Sequence, residues 1–128
     1  MDVERTILVV EDDEGLRRAI ERFLGAAGYA TVAFGSAEAL LAGGTVENAV
    51  CVVSDIKLPE MSGLELLDKM RAQGGWPPAV MVTAHDSQEM RDEAQRHGAV
   101  GYLAKPFQGG ALLAAIDSAT TRSRPRAT

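Results

Sequence analysis

The sequence predicts an α/β domain in which a parallel sheet of five strands is covered by helices on both faces. Short apolar runs of four to six residues alternate with longer amphipathic stretches, the pattern of strand–helix units wound around such a sheet. The run Ile7-Leu8-Val9-Val10 contains no polar residue, as expected of a strand buried on both faces. A chain of 128 residues fits one domain of this kind and leaves little room for a second.

The strands are predicted from apolar runs bounded by turn residues. In chain order they cover residues 7–10, 29–34, 50–53, 80–82 and 100–104. The second and fifth runs are the weaker ones, and the fifth contains Gly101 and Tyr102. Their position in the chain, with a helical stretch between each pair, favours parallel pairing.

Five helices are predicted from apolar residues at helical spacing and from their flanking caps. They cover residues 16–27, 36–43, 62–70, 87–97 and 112–119, the second capped by Ser36 and the first ended by Gly28. The fourth has the thinnest apolar stripe, little more than Met90 and Ala94. We expect residues 1–121 to form the domain and residues 122–128, which are polar and interrupted by Pro125, to form a tail or the beginning of a linker.

Composition excludes several classes of protein. Hydrophobic residues make up 46% of the chain and charged residues 24%, which indicates a folded soluble protein. The net charge of -5 argues against direct contact of this domain with nucleic acid. No apolar run approaches the ~20 residues of a membrane span, and the acidic start is unlike a signal peptide. A single cysteine, Cys51, is typical of the reducing cytoplasm, where we expect the protein to reside.

Polar residues follow four of the predicted strands. They are Glu11-Asp12-Asp13 after the first, Asp55 after the third, Thr83-Ala84 after the fourth and Lys105-Pro106 after the fifth. Because ligands bind at the carboxyl ends of strands in open α/β sheets, these residues are the candidates for a site. The sequence therefore predicts four carboxylates, a hydroxyl and an ammonium group at one edge.

Each of these residues also has an ordinary structural interpretation. Asp13 is predicted to be only the N-cap of the first helix. Taken alone, Asp55 could be a turn residue or a cap, Thr83 a strand-end hydroxyl and Lys105 a solvated surface charge. Their coincidence at one edge of one sheet, with complementary chemistry, favours a functional site.

The chemistry of this set points to phosphoryl transfer with a magnesium ion. Clustered carboxylates repel one another unless they share a cation, and oxygen ligands without His or Cys suit Mg²⁺, with Mn²⁺ as a substitute. Zinc is disfavoured, because Cys51 lies in an apolar strand and His85 and His97 lack ligand spacing. Beside a bound metal, an aspartate can attack a phosphoryl group, while Lys105 balances the charge of its oxygens and Thr83 donates a hydrogen bond to the product phosphate.

The sequence resembles the receiver domain of two-component response regulators over about residues 5–120. The matching segments are Ile-Leu-Val-Val-Glu-Asp-Asp-Glu (7–14), Ser-Asp-Ile-Lys-Leu-Pro-Glu-Met-Ser-Gly (54–63), Val-Thr-Ala (82–84) and Lys-Pro-Phe (105–107). Phe-Gly-Ser-Ala-Glu-Ala-Leu-Leu (34–41) and Gly-Ala-Val-Gly-Tyr-Leu-Ala-Lys-Pro-Phe (98–107) are most similar to receivers of the nitrogen-fixation regulator group. The resemblance implies a flavodoxin-like fold with strand order 2-1-3-4-5.

The resemblance also implies the roles of the acidic residues. Asp55 would be the phosphoacceptor and would contribute to the metal site. Asp12 would bind Mg²⁺ directly, Glu11 through water, and Lys57 through its backbone carbonyl.

Phosphate binding and switching are implied for a second group of residues. Thr83, Ala84 and Lys105 would contact the phosphoryl group, and Lys105-Pro106 would be a cis peptide. Thr83 and Tyr102 would form the switch pair, in which the hydroxyl moves to the phosphate and the aromatic ring follows inward. Since no essential position is missing, a receiver that works without phosphate is disfavoured.

Some residues are open to more than one interpretation. The Lys57 side chain could reach the pocket mouth or be a solvated surface group. Asp86 is interpreted as a loop residue or helix cap, and His97 as a charge at a helix C-terminus. Tyr102, an amphipathic ring on an edge strand, is expected to be partly exposed.

The leading functional hypothesis is a phosphorylation-controlled signalling switch, not an enzyme with an external substrate. A sensor histidine kinase would phosphorylate Asp55, and the face formed by the fourth helix, fifth strand and fifth helix would contact an output domain, a downstream protein or, as a dimer, a second copy. The chain would be either a complete regulator or the front of a longer protein.

Two other classes of function compete with this hypothesis. A phosphohydrolase of the haloacid dehalogenase kind shares the aspartate, lysine and Mg²⁺, but it would need Asp-x-Asp where Lys57 stands, and a cap domain. A dinucleotide-binding module would need Gly-x-Gly-x-x-Gly where the chain has Glu-Asp-Asp-Glu-Gly (11–15). The acidic turn would repel pyrophosphate, so this second alternative is rejected.

Overall fold

A parallel five-stranded sheet with helices on both faces forms the fold, as seen in a computed structural model that describes residues 5–123, the side chains of residues 122 and 123 excepted. The strands are β1 (Thr6–Val10), β2 (Ala30–Phe34), β3 (Ala49–Asp55), β4 (Ala79–Thr83) and β5 (Gly101–Ala104). The helices are α1 (Glu14–Ala26), α2 (Ala37–Gly43), α3 (Gly63–Gln73), α4 (Gln88–Arg96) and α5 (Gly109–Ser123).

The strands are arranged in the order β2-β1-β3-β4-β5, and the predicted fold class and strand order are confirmed. Every neighbouring pair is parallel. At the carboxyl edge, Val10 of β1 pairs with Ser54 of β3, Asp55 with Val82 of β4, and Thr83 with Ala104 of β5. The residues that follow these strands therefore lie along one edge of the sheet.

The core consists of two layers separated by the sheet. Alternate residues of a strand point to opposite faces, so Leu8 and Val10 pack with α2, α3 and α4, whereas Ile7 and Val9 pack with α1 and α5. All five residues of β1 are buried. The central strand is thus covered on both sides, which explains why its sequence lacks polar alternation.

Four helices begin at a polar side chain that accepts a hydrogen bond from the backbone of the first turn. These N-caps are Asp13, Ser36, Ser62 and Ser87. The predicted capping role of Asp13 is confirmed, since its Oδ1 accepts from the Leu16 amide at 2.8 Å. At the start of α3, Ser62 and Glu65 bond reciprocally to each other's backbone amides, so this helix begins at a fixed residue beside the end of β3.

Most predicted boundaries differ from the structure by a few residues, and the largest differences are in α5. Strand β3 is longer than predicted and includes Ser54 and Asp55, because β4 pairs with it as far as Asp55. Helix α5 begins at Gly109 and continues to Ser123. The predicted domain boundary after residue 121 thus falls in the last turn of α5, and residues 124–128 of the predicted tail lie outside the described residues.

Helix α4 is held by few buried side chains. Ala94 is its one fully buried residue and Met90 is half-buried, so the thin apolar stripe predicted for it is confirmed.

Trp76 lies at the amino-terminal edge of the sheet, opposite the carboxyl edge. It is half-buried, precedes β4 and donates its indole N–H to Oε1 of Gln73 at 2.8 Å. Within residues 5–123, no helix is both long and apolar enough to cross a bilayer.

Candidate functional site

Three carboxylates converge at the carboxyl edge of the sheet. Glu11 and Asp12 follow β1, and Asp55 ends the neighbouring β3, so the parallel register brings them together. One oxygen of each lies within 4.8 Å of an oxygen of the others. Glu11 and Asp55 are buried, whereas Asp12 is exposed. The fourth carboxylate predicted at this edge, Asp13, is turned to the cap of α1.

Lys105 joins this acidic group from the far side of β4. Its ammonium nitrogen lies 2.7 Å from Oε1 of Glu11 and 2.6 Å from Oδ2 of Asp55. The Lys105 backbone amide donates to the carbonyl of Thr83 at 2.7 Å, and the peptide bond to Pro106 is cis. The lysine side chain therefore extends past the end of β4 to reach two buried carboxylates.

In this group, burial and ion pairing shift the pKa of Glu11, and that of Lys105, in opposite directions. Burial raises the pKa of Glu11, although hydrogen bonds from Lys105 and the Asp13 amide act against it. Burial lowers the pKa of Lys105, but the hydrogen bonds and charges of Asp55 and Glu11 outweigh it and raise that pKa overall. One ammonium group facing three carboxylates leaves an excess of negative charge, which a divalent cation would offset.

The loop between β3 and α3 forms one wall of the site. The Lys57 amide donates to Oδ1 of Asp55 at 3.1 Å, while the Lys57 side chain is exposed. Further along the loop, the Met61 amide donates to Oε2 of Glu38 in α2 at 3.1 Å. Glu38 was not predicted as a site residue, since nothing in its spacing indicates a contact with a loop 23 residues away. Both oxygens of Asp55 are thus bound, one by the loop and one by Lys105.

An open cavity of about 390 Å³ lies next to Asp55. Asp12, Asp55 and Lys57 line one side, and Ala84 and His85 line the other. The cavity therefore lies between the acidic group and the start of the β4–α4 loop (residues 84–87).

Thr83 is buried at the end of β4, where its hydroxyl oxygen accepts a hydrogen bond from the His85 amide at 3.0 Å. Ala84, next in the chain, is exposed at the cavity. Of the three predicted phosphate-binding residues, Ala84 lines the cavity, Thr83 directly precedes it in the chain, and Lys105 contacts Asp55.

Tyr102 lies on the edge strand β5 and is partly exposed, as predicted. Its hydroxyl donates to Oδ1 of Asp86 at 2.9 Å. Asp86 is a loop residue, and the cap of α4 is Ser87. The Asp86–Tyr102 contact was not predicted from the sequence, because it depends on the path of the loop relative to β5.

The remaining candidates lie outside the site. Cys51 is buried in β3, where burial raises the pKa of its thiol to about 12. His97 is the C-cap of α4, and its Nδ1 lies 2.7 Å from Oδ1 of Asp68 in α3. Among the described residues 5–123, one cluster of three potential metal ligands is found. It consists of Glu11, Asp12 and Asp55 and contains neither His nor Cys.

The fold and this acidic edge define a signalling domain that takes up phosphoryl groups. The chain belongs to the response regulator receiver domain family, whose model matches residues 7–117. Phosphate acceptance is the function of this family, which is a family of signalling domains and not of classical enzymes.

Relatives place the chain near the nitrogen-fixation regulators. It is 35% identical to the transcriptional regulatory protein FixJ of Bradyrhizobium diazoefficiens over 99% of this chain and 62% of that protein. It is 36% identical to nodulation protein W of the same organism over 94% of this chain and 53% of that protein. The crystal structure of FixJ-N superposes with a TM-score of 0.86 at 32% identity, covering 98% of this chain and 100% of the other.

The predicted resemblance to receiver domains, and to the nitrogen-fixation group among them, is thus confirmed. The chain spans about 53 to 62% of the length of the two curated relatives.

Proposed function

We propose that the chain is a phosphorylation-controlled switch in which Asp55 accepts a phosphoryl group from a sensor histidine kinase. The observation that supports this most directly is the position of Asp55, buried between Lys105 and the two carboxylates of Glu11 and Asp12. An aspartate held there beside a cation-binding group is an oxygen nucleophile in a site able to balance the charge of a phosphoryl group.

The residues at this edge fit a magnesium ion, with Mn²⁺ as an alternative. Their donors are all oxygens and they carry excess negative charge, which suits a hard divalent cation. Asp12, Asp55 and the Lys57 carbonyl would hold it directly and Glu11 would act through water. When bound, the ion would offset negative charge on the phosphoryl oxygens.

The transfer would balance between the chain and the donor. A carboxylate oxygen of Asp55 forms a bond to phosphorus while the bond between phosphorus and the donor histidine nitrogen breaks, so no other reactant is consumed. Lys105 moves from the Asp55 carboxylate to the phosphoryl oxygens. The Thr83 hydroxyl and the Ala84 amide donate hydrogen bonds to the same oxygens, and Tyr102 turns inward into the space that Thr83 leaves.

The signalling surface would be the face formed by α4, β5 and α5. Helix α4 has few buried contacts, which is typical of an element that can move, and Tyr102 lies on the adjoining strand.

We propose that residues 1–121 form the receiver and that residues 122–128 begin a linker to an output domain or end a regulator that acts on a separate protein. A dimer formed on phosphorylation would use the same face. This domain itself would contact neither nucleic acid nor membrane and would act in the cytoplasm.

Treatment with acetyl phosphate and Mg²⁺, followed by intact-mass measurement, tests the assignment. The protein should gain one phosphate, and Asp55→Asn should gain none. Asp68→Asn, which removes an exposed carboxylate on α3, is the matched control and should label as the unmodified protein does. Undiminished labelling of Asp55→Asn would overturn the assignment, and steady turnover of small phosphate esters would favour the phosphohydrolase alternative instead.

A further inference from the structure

Three side chains outside the acidic site connect the β4–α4 loop, α4 and β5. Arg91 of α4 approaches Asp86 of the loop with two nitrogens, Nε to Oδ1 and Nη2 to Oδ2, each at 3.2 Å. The Tyr102 hydroxyl of β5 donates to the same Oδ1 at 2.9 Å. The Arg91 guanidinium also lies over the Tyr102 ring, 4.9 Å from its centroid. Each residue of this cluster, Asp86, Arg91 and Tyr102, thus contacts both of the others.

The contacts use the polar groups of all three side chains in a mutually supporting way. A two-point contact between guanidinium and carboxylate fixes the orientation of both groups, and a cation over a ring face adds a second attraction between Arg91 and Tyr102. In agreement, hydrogen bonds from Arg91 and Tyr102 lower the pKa of the Asp86 carboxyl. Burial and the contact with Asp86 raise the pKa of the Tyr102 hydroxyl.

The cluster is linked to the phosphate-binding hydroxyl by a very short piece of chain. Asp86 follows Thr83 by three residues, a span of at most about 10 Å when extended. The His85 amide, between them, bonds to the Thr83 hydroxyl oxygen at 3.0 Å. A displacement of the Thr83 hydroxyl towards Asp55 would break this bond and free the loop backbone next to Asp86, the residue to which Tyr102 and Arg91 are bound.

Helix α4 offers little resistance of its own to such a displacement. Beyond the buried Ala94 and the half-buried Met90, its side chains are largely exposed. In its N-terminal half, Met90 packs against the core and Arg91 contacts Asp86 and Tyr102.

We infer that Asp86 and Arg91 act as a latch on Tyr102, holding the ring and the β4–α4 loop in the arrangement of the unphosphorylated protein. This inference rests on the proposed function of Asp55. It adds the residues that set the balance between a latched state, in which these contacts are formed, and a released state, in which they are broken. Phosphorylation must release the latch, so the latch opposes it. Asp86 and Arg91 are positioning residues, since neither lies at the phosphoryl group.

The expected effect is modest because the latch is exposed to solvent. Exposed ion pairs and their hydrogen bonds shift equilibria by about two- to fivefold, and salt screens them. Loss of the latch should raise the population of the released state by that factor and leave the fold intact. The rate of Asp55 phosphorylation by a small donor should rise in proportion, since the released state is the one that accepts phosphate.

The test compares two substitutions that change charge identically. Asp86→Asn removes the charge that holds Arg91, whereas Asp92→Asn removes a carboxylate of α4 that accepts a hydrogen bond from Gln88. The initial rate of labelling by acetyl phosphate with Mg²⁺ should rise about two- to fivefold in Asp86→Asn and stay unchanged in Asp92→Asn. Amide exchange of residues 84–87 in the unphosphorylated protein should accelerate in Asp86→Asn alone.

A second variant and a double variant separate a latch from a local charge effect. Arg91→Gln should raise the labelling rate as Asp86→Asn does, and the double variant should gain less than the product of the two single effects, because both changes remove the shared Asp86–Arg91 contact. A higher salt concentration should reduce the difference in labelling rate between Asp86→Asn and the unmodified protein, because salt screens the ion pair.

The outcomes distinguish this inference from the function on which it rests. If all proteins label at Asp55 but Asp86→Asn behaves as Asp92→Asn does, the latch is disproved and the switch stands. If labelling slows in Asp86→Asn, the cluster supports the reactive state, which contradicts the inference. If the label survives Asp55→Asn, the proposed function itself fails.

Discussion

Lys105 and Asp55 are 50 residues apart in the chain, yet the lysine nitrogen lies 2.6 Å from the aspartate Oδ2. The side chain of Lys105 is 16% exposed and that of Asp55 is 8% exposed, so this pair is largely removed from water. Such a pair is costly to break one partner at a time, because the remaining charge has no counterion. The lysine therefore stabilises the fold before any phosphate arrives.

Replacing Lys105 should destabilise the protein in metal-free buffer. Lys105→Met leaves Glu11 and Asp55 without a cation, and we expect the free energy of unfolding in urea to fall by about 1–3 kcal/mol. Added Mg²⁺ should restore part of the loss. Lys69→Met, an exposed lysine of α3, is the control and should cost less than about 0.5 kcal/mol. Equal losses in the two variants would show that the ion pair contributes nothing.

Asp12 should matter for metal binding and not for the fold. It is exposed, and removing one of three neighbouring carboxylates relieves repulsion, so Asp12→Asn should melt at or slightly above the temperature of the unmodified protein without metal. Mg²⁺ should raise the melting temperature of the unmodified protein only, because the ion stabilises the state that binds it. A clear loss of stability in metal-free buffer would contradict this.

Lys57 should slow loss of the phosphoryl group. Its backbone lies at the site and its side chain is exposed beside the cavity, where it can reach the phosphoryl oxygens or exclude water. We expect the phosphorylated form of Lys57→Ala to decay about two- to tenfold faster, which corresponds to about 0.4–1.4 kcal/mol of barrier. Decay after removal of the donor measures this, with Lys69→Ala as control. Equal lifetimes would identify Lys57 as a solvated surface residue.

Gly63 should tolerate no side chain. A Cβ there would press against the carbonyl oxygen of Asp55 and lie 2.6 Å from Cε of Met81 and 2.8 Å from Cα of Ile56. Because two of these neighbours are backbone, Gly63→Ala should cost about 1–3 kcal/mol and displace Asp55. Gly25→Ala in α1, where a Cβ meets nothing within 4 Å, should instead stabilise by about 0.5–1 kcal/mol. Urea unfolding of both variants tests the contrast.

Cys51 should make stability fall at alkaline pH. The pKa of its thiol is raised from 9.0 to about 12, so above pH 9.0 the unfolded chain loses a proton that the folded protein retains. The unfolded state then binds fewer protons, and the stability fully present below that pH declines as pH rises, by up to about 1.4 kcal/mol per pH unit. The decline between about pH 8 and pH 10 should be shallower in Cys51→Val, which lacks the thiol. Parallel profiles would contradict the raised pKa.

The sheet and the helices could be predicted because their signals are local. Uninterrupted apolar runs such as Ile7 to Val10 require a strand covered on both faces, and caps such as Asp13 and Ser36 mark where helices begin. The acidic edge could be predicted too, because parallel strands bring the residues that follow them to one side.

Contacts between distant side chains could not be predicted in the same way. Glu38 with Met61, Asp86 with Tyr102, and Asp68 with His97 each join separate elements, and their geometry depends on loop paths and helix positions that no local pattern encodes. The pairing of Lys105 with Glu11 belongs to the same class. The positive charge of Lys105 and its place after β5 indicated that it belongs to the site. Which carboxylates it contacts in the unphosphorylated protein depends on how far its side chain extends, and no local pattern encodes that.

The placement of Trp76 determines what spectroscopy can observe in this protein. It is the single tryptophan of the chain and lies before β4 at the amino-terminal edge, so the length of that strand, roughly 16 Å, separates it from Thr83 and the acidic edge. Its fluorescence emission will report unfolding of the domain but will change little on phosphorylation. A fluorescence assay of switching therefore needs a second indole placed near β5, with Trp76 as an internal standard in the same spectrum.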